Sequence, residues 1–268
     1  MKPTISIIIV NYNGLKYLGS CINSLFTHLS NLTYEIIVVD NDSKDDSVSF
    51  IKKNFADVIV IESNKNLGFG KANNLGVSYA KGETILLLNN DTILLNDIKP
   101  ALEVLYSEKN YGIVSINMLN SDNKYIPAVG RFPSPFTLLK ISFLNDKRKE
   151  FEEGEFNLKE NYIVDWVTGA FMLITKKDYL DLHGFDSGFF MYVEDVDFCK
   201  RMNNAGKKCV FVPSLNYIHF VGHTTSRNRL LINGYKMYSK KHFSGLSRFI
   251  ALLMISVNMF IKRITNNI

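Results

Sequence analysis

Four short apolar runs, separated by segments with helical periodicity, constrain the fold of this chain more than any other feature. The runs are TISIIIVNYN (4–13), YEIIVVDNDS (34–43), DVIVIESN (57–64) and ETILLLNND (83–91). Each is apolar almost throughout, which is typical of strands covered on both faces. Helices are predicted between them at 14–29, 44–54 and 68–80. This alternation predicts right-handed crossovers, and therefore an α/β fold with a parallel sheet.

Three of these runs end on polar clusters, which are Asn11-Tyr12-Asn13, Asp40-Asn41-Asp42 and Asn89-Asn90-Asp91. In open α/β sheets, ligands bind in the crevice beyond the carboxyl ends of the strands. We therefore predict that the site lies there. This placement also explains why the run LLLNNDTILL (86–95) is interrupted by polar residues before it returns to the core.

Composition excludes several classes of protein. A chain of 268 residues suits one large domain or two small ones, and its net charge of +5 is too mild and scattered for a nucleic-acid partner. Cys21, Cys199 and Cys209 form no CxxC pair, so we expect free thiols in a reducing compartment. The start of the sequence lacks the pattern of a signal peptide, so we expect a cytoplasmic protein.

The second half of the chain is less regular. Residues 117–162 are polar and lack a clear period, which indicates a variable excursion from the sheet. Two short strands are predicted within 162–177, around Gly169-Ala170. A helix is predicted at 194–206 and a further strand at 207–213.

Asp91 and His219 are candidate metal ligands, although each has an ordinary structural explanation. Asn-Asp clusters often form turns at strand ends, and a lone histidine after a strand is more often structural. One carboxylate together with substrate phosphates can, however, hold Mg²⁺ or Mn²⁺, and a neutral imidazole can join it. His223 is the nearest rival ligand. The other histidines have no supporting context: His28, His183 and His242.

A nucleotide site is predicted from two further segments. Asp40 and Asp42 are turn residues or, alternatively, Asp40 accepts a hydrogen bond from the imide N–H of uracil or thymine. The segment NKNLGFGKANNLG (64–76) resembles a phosphate loop, but Asn73 replaces the third glycine of the dinucleotide-binding pattern, and the segment follows the third strand rather than the first. Asn66 and Asn74 are predicted to brace this loop or contact the donor.

Acidic and aromatic residues are densest in GFDSGFFMYVEDVDFCKR (184–201). Acids at a helix start are ordinary caps, but the aromatic residues before them are not needed for capping. Aromatic faces beside a carboxylate suit a sugar ring and a general base for its hydroxyl. Positions 195 and 197 are about 200° apart on a helix, so only one can face a given site. We predict that Asp195 faces the acceptor, that Asp197 anchors the helix, and that Glu194 orients or caps.

Together, seven segments resemble the family 2 glycosyltransferases of the GT-A fold, particularly the rhamnosyltransferase-like branch of bacterial surface-polysaccharide synthesis. They are SIIIVNYNG (6–14), EIIVVDNDSKDDS (35–47), NLGFGKANNLG (66–76), LLLNNDT (86–92), VTGAFMLITKK (167–177), GFDSGFFMYVEDVDFCKRMNNAG (184–206) and HFVGHTTS (219–226). Their joint occurrence is far more specific than any one of them. The resemblance implies a Rossmann-like, mostly parallel central sheet flanked by helices. The implied GT-A domain covers 1–226, with a nucleotide-binding half at 1–116 and an acceptor-binding half at 117–226, followed by C-terminal helices at 227–268.

The resemblance also implies transfer of a sugar, with rhamnose as one candidate, from a UDP- or dTDP-linked donor to a glycan or polyprenyl-linked acceptor, with inversion and with Mg²⁺ or Mn²⁺. Asp91 matches the last position of the metal-binding DxD-type motif, whose first position is Asn89 here, and His219 matches a histidine of the metal–diphosphate site. Asp195 matches the catalytic base. The donor site is assigned to Asn11, Tyr12, Asp40, Asp42, Asn66, Gly68, Asn74 and Asn90. The acceptor site is assigned to Trp166, Gly169, Asp186, Phe190 and Glu194.

The C-terminal segment 246–268 has an apolar helical face flanked by basic residues. This face comprises Leu246, Ile250, Leu253, Val257, Phe260 and Ile264. The uninterrupted run 249–261 is shorter than the roughly 20 residues that span a bilayer. The segment is therefore either an amphipathic helix at the inner face of the cell membrane or a helix docked on the domain's own core.

Two alternatives to an active glycosyltransferase remain at this stage. A catalytically idle GT-A scaffold would bind a sugar nucleotide or a partner protein without transfer, and the joint presence of Asp91, Asp195 and His219 argues against it. A sugar-1-phosphate nucleotidyltransferase would require a Gly-rich, Arg-containing loop after the first strand, where this chain has VNYNGLKYL.

Overall fold

The first half of the chain forms the alternating strands and helices that the sequence predicts. The structure, a computed structural model, describes residues 3–220 and 226–264. Its first elements are β1 (Ile5–Asn11), α1 (Leu15–His28), β2 (Tyr34–Asp40), α2 (Ser47–Asn54), β3 (Ile59–Glu62), α3 (Phe69–Tyr79) and β4 (Thr84–Asn89). Each lies within a few residues of its predicted range.

The second half contains more strands than the sequence pattern indicated. Its elements are β5 (Thr92–Leu94), α4 (Lys99–Ser107), β6 (Tyr111–Leu119), β7 (Val129–Gly130), α5 (Lys149–Glu153), β8 (Tyr162–Val164), β9 (Trp166–Val167), β10 (Phe171–Thr175), α6 (Lys176–Asp181), α7 (Glu194–Asn204), β11 (Lys208–His219), α8 (Ser226–His242) and α9 (Gly245–Ile264). Three strands, rather than two, occupy 162–177. The excursion at 117–162 carries two short 3₁₀ turns, at 137–139 and 141–144, and the short helix α5.

The strands form one mixed sheet in the order β3-β2-β1-β4-β10-β6-β11-β5, with β8 paired to β11, and a separate β7–β9 ribbon. Within the described part of the chain, β1, β2, β3, β4, β6 and β11 run in one direction, while β10 runs against both of its neighbours. The carboxyl ends of the six co-directional strands therefore lie along one edge of the sheet, here called the site edge. Because β10 is antiparallel, its first residue also lies at the site edge.

Helices cover both faces of the sheet, which explains why its strands do not alternate between apolar and polar residues. Ile7 and Ile9 of β1 belong to the same core cluster as Leu18 and Ile22 of α1. Ile8 points to the opposite face and belongs to the cluster that contains Val77 of α3. The three cysteines are buried free thiols, as predicted.

The two C-terminal helices complete a third core cluster with the excursion and with α7. It contains Leu138, Leu144, Phe189, Val193, Val196, Ile232, Tyr235, Tyr238, Ala251 and Ile255. Helix α9 docks through Ala251, Ile255 and Asn258, and the Asn258 amide donates a hydrogen bond to the Leu139 carbonyl at 2.6 Å. The helix is thus docked on the protein's own core, which was one of the two alternatives considered above.

The outward side of α9 remains apolar. Its exposed large side chains are Leu246, Phe249, Leu253, Phe260, Ile261 and Ile264. By length and composition alone, the 20-residue helix is sufficient to cross a bilayer, with a mean hydropathy of 1.5. The 13-residue run 249–261 did not indicate this, because the helix extends beyond the run at both ends.

Candidate active site

Hydrogen bonds join the ends of β1, β2 and β4 at the site edge. Asn11 is fully buried, and its amide nitrogen donates to Asp40 Oδ1 at 3.0 Å and to Ser43 Oγ at 3.1 Å. The Asn90 amide nitrogen donates to Asn11 Oδ1 at 2.8 Å. The predicted donor residues Asn11, Asp40 and Asn90 therefore form one network. This network holds together the strand ends that form the predicted nucleotide site.

The two acids after β2 differ in exposure. Asp40 is only 4% exposed, and its Oδ2 accepts the backbone N–H of Ser43 at 3.0 Å, so its carboxylate braces the edge. Asp42 has a positive φ of 69° and pairs with Lys44 at 2.6 Å. Tyr12, at the end of β1, is 50% exposed, which leaves its ring accessible to a flat ligand.

Hydrogen bonds from Asn66 hold the loop before α3, and the loop contacts the backbone of Phe190. Asn66 Oδ1 accepts hydrogen bonds from the Asn41 amide at 3.1 Å and from the Gly68 N–H at 2.9 Å. Gly68 has a φ of 79°, and a Cβ there would collide with the Phe190 carbonyl oxygen. The same carbonyl accepts the Phe69 N–H at 2.8 Å. Gly68 is therefore required for contact between the two halves, a role that the sequence did not indicate.

Asn74 has a bracing role as well. Its Oδ1 accepts from the Tyr179 hydroxyl at 2.5 Å and from the Phe185 N–H at 2.9 Å, and its Nδ2 donates to the Phe185 carbonyl at 2.8 Å. Of the two roles predicted for Asn74, this geometry favours bracing over donor contact, because the amide is already satisfied inside the protein.

Asp91 and His219 lie together at the site edge, although 128 positions separate them in the sequence. His219 Nε2 is 3.1 Å from Asp91 Oδ1 and 3.2 Å from Asn89 Nδ2. Strand β5 pairs with β11 so that Thr92 lies opposite His219, which brings the two candidates to the same register. His223, the rival ligand, lies outside the described residues.

These residues fit a divalent cation as part of a substrate complex. The described residues contain no cluster of three or more His, Cys, Asp or Glu side chains able to hold a metal ion by themselves. Asp91 offers a carboxylate oxygen and His219 an imidazole nitrogen, which are the donor types that Mn²⁺ accepts and, for the carboxylate, that Mg²⁺ prefers. The remaining ligands would then come from a bound diphosphate.

Asp195 begins α7 and is held by backbone groups. Its Oδ2 accepts the Gly169 N–H at 3.0 Å, and its Oδ1 accepts its neighbour Val196 N–H at 2.8 Å. Burial raises the pKa of the Asp195 carboxyl above its ordinary value, although these backbone hydrogen bonds oppose the rise. A carboxylate with a raised pKa is a stronger base than an exposed one, which suits proton abstraction near neutral pH.

Glu194, which was assigned to the acceptor site from the sequence, is buried at the start of α7. It is 4% exposed, and burial, followed by the charge of Asp195, raises its pKa to about 8. Its Oε2 has no hydrogen-bond partner among the described residues. At pH 7 Glu194 is therefore mostly protonated, because a neutral carboxyl is cheaper to bury than an ionised one.

Asp197 anchors the other side of α7, as predicted. It is fully buried and bonded to Arg201 at 2.8 Å, to His242 at 2.7 Å and to Lys241 at 2.9 Å. Burial would raise the pKa of Asp197, but the hydrogen bonds from His242 and Lys241 and the charge of Arg201 hold it below its ordinary value. No local pattern predicted His242 as a partner of Asp197, because the two residues are 45 positions apart in the chain.

Of the other predicted acceptor residues, Gly169 bonds Asp195, one is exposed, and two are engaged in other contacts within the protein. Phe190 is 48% exposed. The Trp166 indole N–H donates to the Arg131 carbonyl at 2.9 Å. Asp186 accepts the Gly188 N–H at 2.9 Å and pairs with Lys241 at 2.6 Å. Both carboxylate oxygens of Asp186 are thus already bonded, so this residue shapes the loop.

Comparison with known proteins identifies the family of this chain. The chain matches the profile described as Glycosyl transferase family 2 over residues 6–196. It is 29% identical to rhamnosyltransferase WbbL of Escherichia coli K12, over 90% of this chain and 92% of that protein. It is 23% identical to an N-acetylglucosaminyl-diphospho-decaprenol L-rhamnosyltransferase of Mycobacterium tuberculosis, over 85% and 80%.

Solved structures agree on the fold. The mannosyltransferase PcManGT of Pyrobaculum calidifontis, solved with GDP-Man and Mn²⁺, superposes with a TM-score of 0.64 at 14% identity, covering 98% of this chain and 76% of that one. Such neighbours are GT-A glycosyltransferases, and this confirms the predicted fold class. The chain belongs to glycosyl transferase family 2 and has the GT-A fold.

Proposed function

We propose that this protein transfers a hexose, with inversion at the anomeric carbon, from a nucleoside diphosphate donor to a hydroxyl of a glycan or lipid-linked acceptor in bacterial surface-polysaccharide synthesis. One observation carries the proposal. The Asn89 N–H donates to the Ala170 carbonyl at 3.1 Å, while the N–H of the preceding residue, Gly169, donates to Asp195 Oδ2 at 3.0 Å. The end of β4, which leads to Asp91, and the start of α7, which carries Asp195, are therefore both hydrogen-bonded to the backbone of Gly169-Ala170.

This adjacency suits a direct displacement. Asp195 would accept the proton of the attacking acceptor hydroxyl on one side of the sugar, and the diphosphate would leave on the other, toward Asp91 and His219. A bound Mg²⁺ or Mn²⁺ held by Asp91 and His219 would neutralise charge on the leaving diphosphate. In this proposed arrangement the acceptor would attack from the side opposite the leaving diphosphate, and the product would have inverted configuration.

The names of the relatives support a deoxyhexose donor and a lipid-linked acceptor. Both relatives described above are named rhamnosyltransferases, and one name specifies a diphospho-decaprenol acceptor. We therefore place dTDP-rhamnose first among the donors to be tested. The reaction would take place in the cytoplasm, at the inner face of the cell membrane.

A transfer assay tests this function against the idle scaffold. Purified protein is incubated with dTDP-rhamnose or UDP-sugars, Mn²⁺, and polyprenyl-diphosphate-linked N-acetylglucosamine, and the product is analysed for mass and anomeric configuration. We expect a product with one added sugar of inverted configuration. Donor binding without transfer or donor hydrolysis would instead favour the idle scaffold, and a product of retained configuration would exclude the displacement described above.

We predict that pyrimidine nucleotides bind and purine nucleotides do not. Asp40 uses each carboxylate oxygen once, and each oxygen can accept a second hydrogen bond, so it retains capacity for the imide N–H of uracil or thymine. Thermal shifts with UDP, dTDP and GDP, each with Mn²⁺, measure this preference. Equal stabilisation by GDP would show that Asp40 does not select the base.

The outward face of α9 is proposed to contact the surface of an anionic membrane. The segment 227–268 contains eight of the 31 Lys and Arg residues of the chain and none of its 26 Asp and Glu residues. The exposed apolar side chains of α9 belong to the same segment as these cations, a combination that favours binding in the plane of an anionic bilayer surface. A lipid-linked acceptor would be presented at the same surface.

Replacing two exposed leucines of α9 is expected to weaken vesicle binding without unfolding the protein. Leu246 and Leu253 are 72% and 46% exposed, so Leu246→Ser with Leu253→Ser removes outward apolar area only. At about 1.5–3 kcal/mol per buried leucine, binding to anionic vesicles should fall at least about tenfold. The matched control is Leu158→Ser with Leu180→Ser, at 64% and 51% exposure on other surfaces. Equal vesicle binding by the two double variants would refute this contact.

A further inference from the structure

Helix α8 contacts the segment that leads into the candidate base. This segment, residues 186–193, is here called the acceptor loop. Lys241 of α8 bonds on either side of it: its Nζ donates to Asp186 Oδ2, the first residue of the loop, at 2.6 Å and to Asp197 Oδ2, in the first turn of α7 after the loop, at 3.0 Å. The Lys241 side chain is 29% exposed and that of Asp186 30%, so the first ion pair is partly shielded from solvent.

Close packing between α8 and the acceptor loop adds to these ion pairs. A Cβ on Gly234 of α8 would lie 2.7 Å from the Tyr192 carbonyl oxygen and equally close to the Val193 side chain. A Cβ on Gly188 would collide with the terminal methyl of Met237. The backbone contact at Gly234 therefore leaves no room for a side chain, whereas a side chain at Gly188 would displace the flexible end of Met237.

The loop backbone is unfavourable where α8 contacts it. Tyr192 and Val193 have consecutive positive φ values of 69° and 74°. Positive φ is rare for residues with a side chain, and a β-branched residue such as valine is a real outlier there. Such conformations persist only where surrounding contacts hold them, and they concentrate at functional sites. Asp195 follows two positions after Val193.

We propose that α8 is a positioning element of the active site, in which Lys241 and Gly234 hold the acceptor loop in the conformation that presents Asp195 to the acceptor. This inference rests on the proposed role of Asp195 as the base. Neither Lys241 nor Gly234 is placed to reach the reacting atoms, so both act through the loop. The C-terminal helices thus belong to the catalytic unit and are more than a membrane attachment.

If α8 positions the acceptor loop, changes in α8 should impair acceptor kinetics and leave donor binding intact. The predicted nucleotide site is built mainly from the ends of β1, β2 and β4, and none of the hydrogen bonds described between those strand ends involves α8. Its loop at Gly68 also contacts the acceptor loop, where the Phe69 N–H donates to the Phe190 carbonyl, but Asn66 holds the Gly68 loop from the Asn41 side as well. Release of the acceptor loop should therefore misplace the base and the acceptor while the donor still binds. If α8 only stabilised the fold, its variants would lose acceptor turnover and donor binding together, in proportion to the loss of folded protein.

The first test replaces Lys241. In Lys241→Met, Asp197 keeps Arg201 and His242, so the protein should fold. We expect kcat/KM for the acceptor to fall at least about tenfold, because small misplacements of catalytic groups have effects of this size, while the Kd for the donor nucleotide stays unchanged. Lys241→Arg should restore most of the activity. The matched control is Lys240→Met, which removes the same charge from the exposed residue immediately before Lys241.

The second test moves the loop without changing any charge. Gly234→Ala places a methyl group against the Tyr192 carbonyl, and the exposed neighbour Asn233→Ala is its control. The same selective loss of acceptor kcat/KM is expected in Gly234→Ala. Equal acceptor kinetics in each variant and its control would overturn the proposal, as would a parallel loss of donor affinity and melting temperature. If the wild-type protein transfers no sugar to any acceptor, the proposed function itself fails, whatever the variants do.

Discussion

Asp195→Asn is expected to lower the rate of sugar transfer by about 10²–10⁴-fold, the range that a positioned general base contributes. The amide has nearly the same shape as the carboxylate but cannot accept the proton of the acceptor hydroxyl. Its single oxygen keeps one of the two backbone N–H groups, of Gly169 or Val196, and the loss of the other hydrogen bond is offset by removal of a buried charge. Donor affinity and melting temperature should therefore change little. Single-turnover transfer, donor binding and thermal unfolding measure the three quantities.

Asp197→Asn provides the contrasting variant. Asp197 is fully buried and bonded to Arg201, Lys241 and His242, so loss of its charge leaves Arg201 without its carboxylate partner and weakens the contact with His242, while Lys241 still pairs with Asp186. Breaking a buried ion pair in this way costs about 3–5 kcal/mol, which should appear as a marked fall in melting temperature. If Asp195→Asn keeps the wild-type transfer rate, Asp195 is not the base.

The pH dependence of transfer provides a separate test of Asp195. Only the ionised carboxylate can accept a proton, and burial raises the pKa of Asp195 above its ordinary value. The transfer rate should therefore be maximal above this raised pKa and fall as the pH decreases through it. An exposed aspartate would lose activity only at a lower pH.

Local sequence patterns predicted much of the fold, because the signals that specify it are local. Apolar runs, helical periodicity and polar strand ends each involve residues close in the chain, and they located β1 to β4 and α1 to α3. The strand β11 extended further than predicted, to His219, because its second half pairs with β5 and β6 across the sheet. Pairing partners of that kind are invisible in the local pattern.

The candidate site likewise contains residues that local segments indicated and residues whose roles depend on distant contacts. Asp91 and Asp195 were selected because each stands in a recognisable segment, and their backbone neighbours meet through the Asn89–Ala170 and Gly169–Asp195 hydrogen bonds. The roles of Gly68 and Lys241 depend on contacts with the acceptor loop, which lies far from Gly68 in the sequence. A glycine in a phosphate-like loop and a lysine near a helix end carry no local sign of these contacts.

Asp91→Ala is expected to abolish the dependence of donor binding on Mg²⁺ or Mn²⁺ while the protein remains folded. The Asp91 side chain contacts His219 at 3.1 Å, whereas its carbonyl accepts the Phe220 N–H at 2.9 Å, and this backbone bond survives the substitution. With nucleotide at 100 times its Kd, the wild type should gain about 2.7 kcal/mol of stability, which corresponds to a rise in Tm of several degrees. The variant should lose the metal-dependent part of this rise.

Two further variants determine whether that loss reflects a metal site or only a change of charge. Asp57→Ala removes the same charge from an exposed loop position and should keep the full metal-dependent rise in Tm. His219→Ala should retain part of the rise, because the Asp91 carboxylate and the substrate diphosphate remain as ligands. If Asp91→Ala responds to nucleotide and Mn²⁺ as Asp57→Ala does, the cation is bound elsewhere, and the pairing of Asp91 with His219 at the ends of β4 and β11 serves only to close the sheet edge.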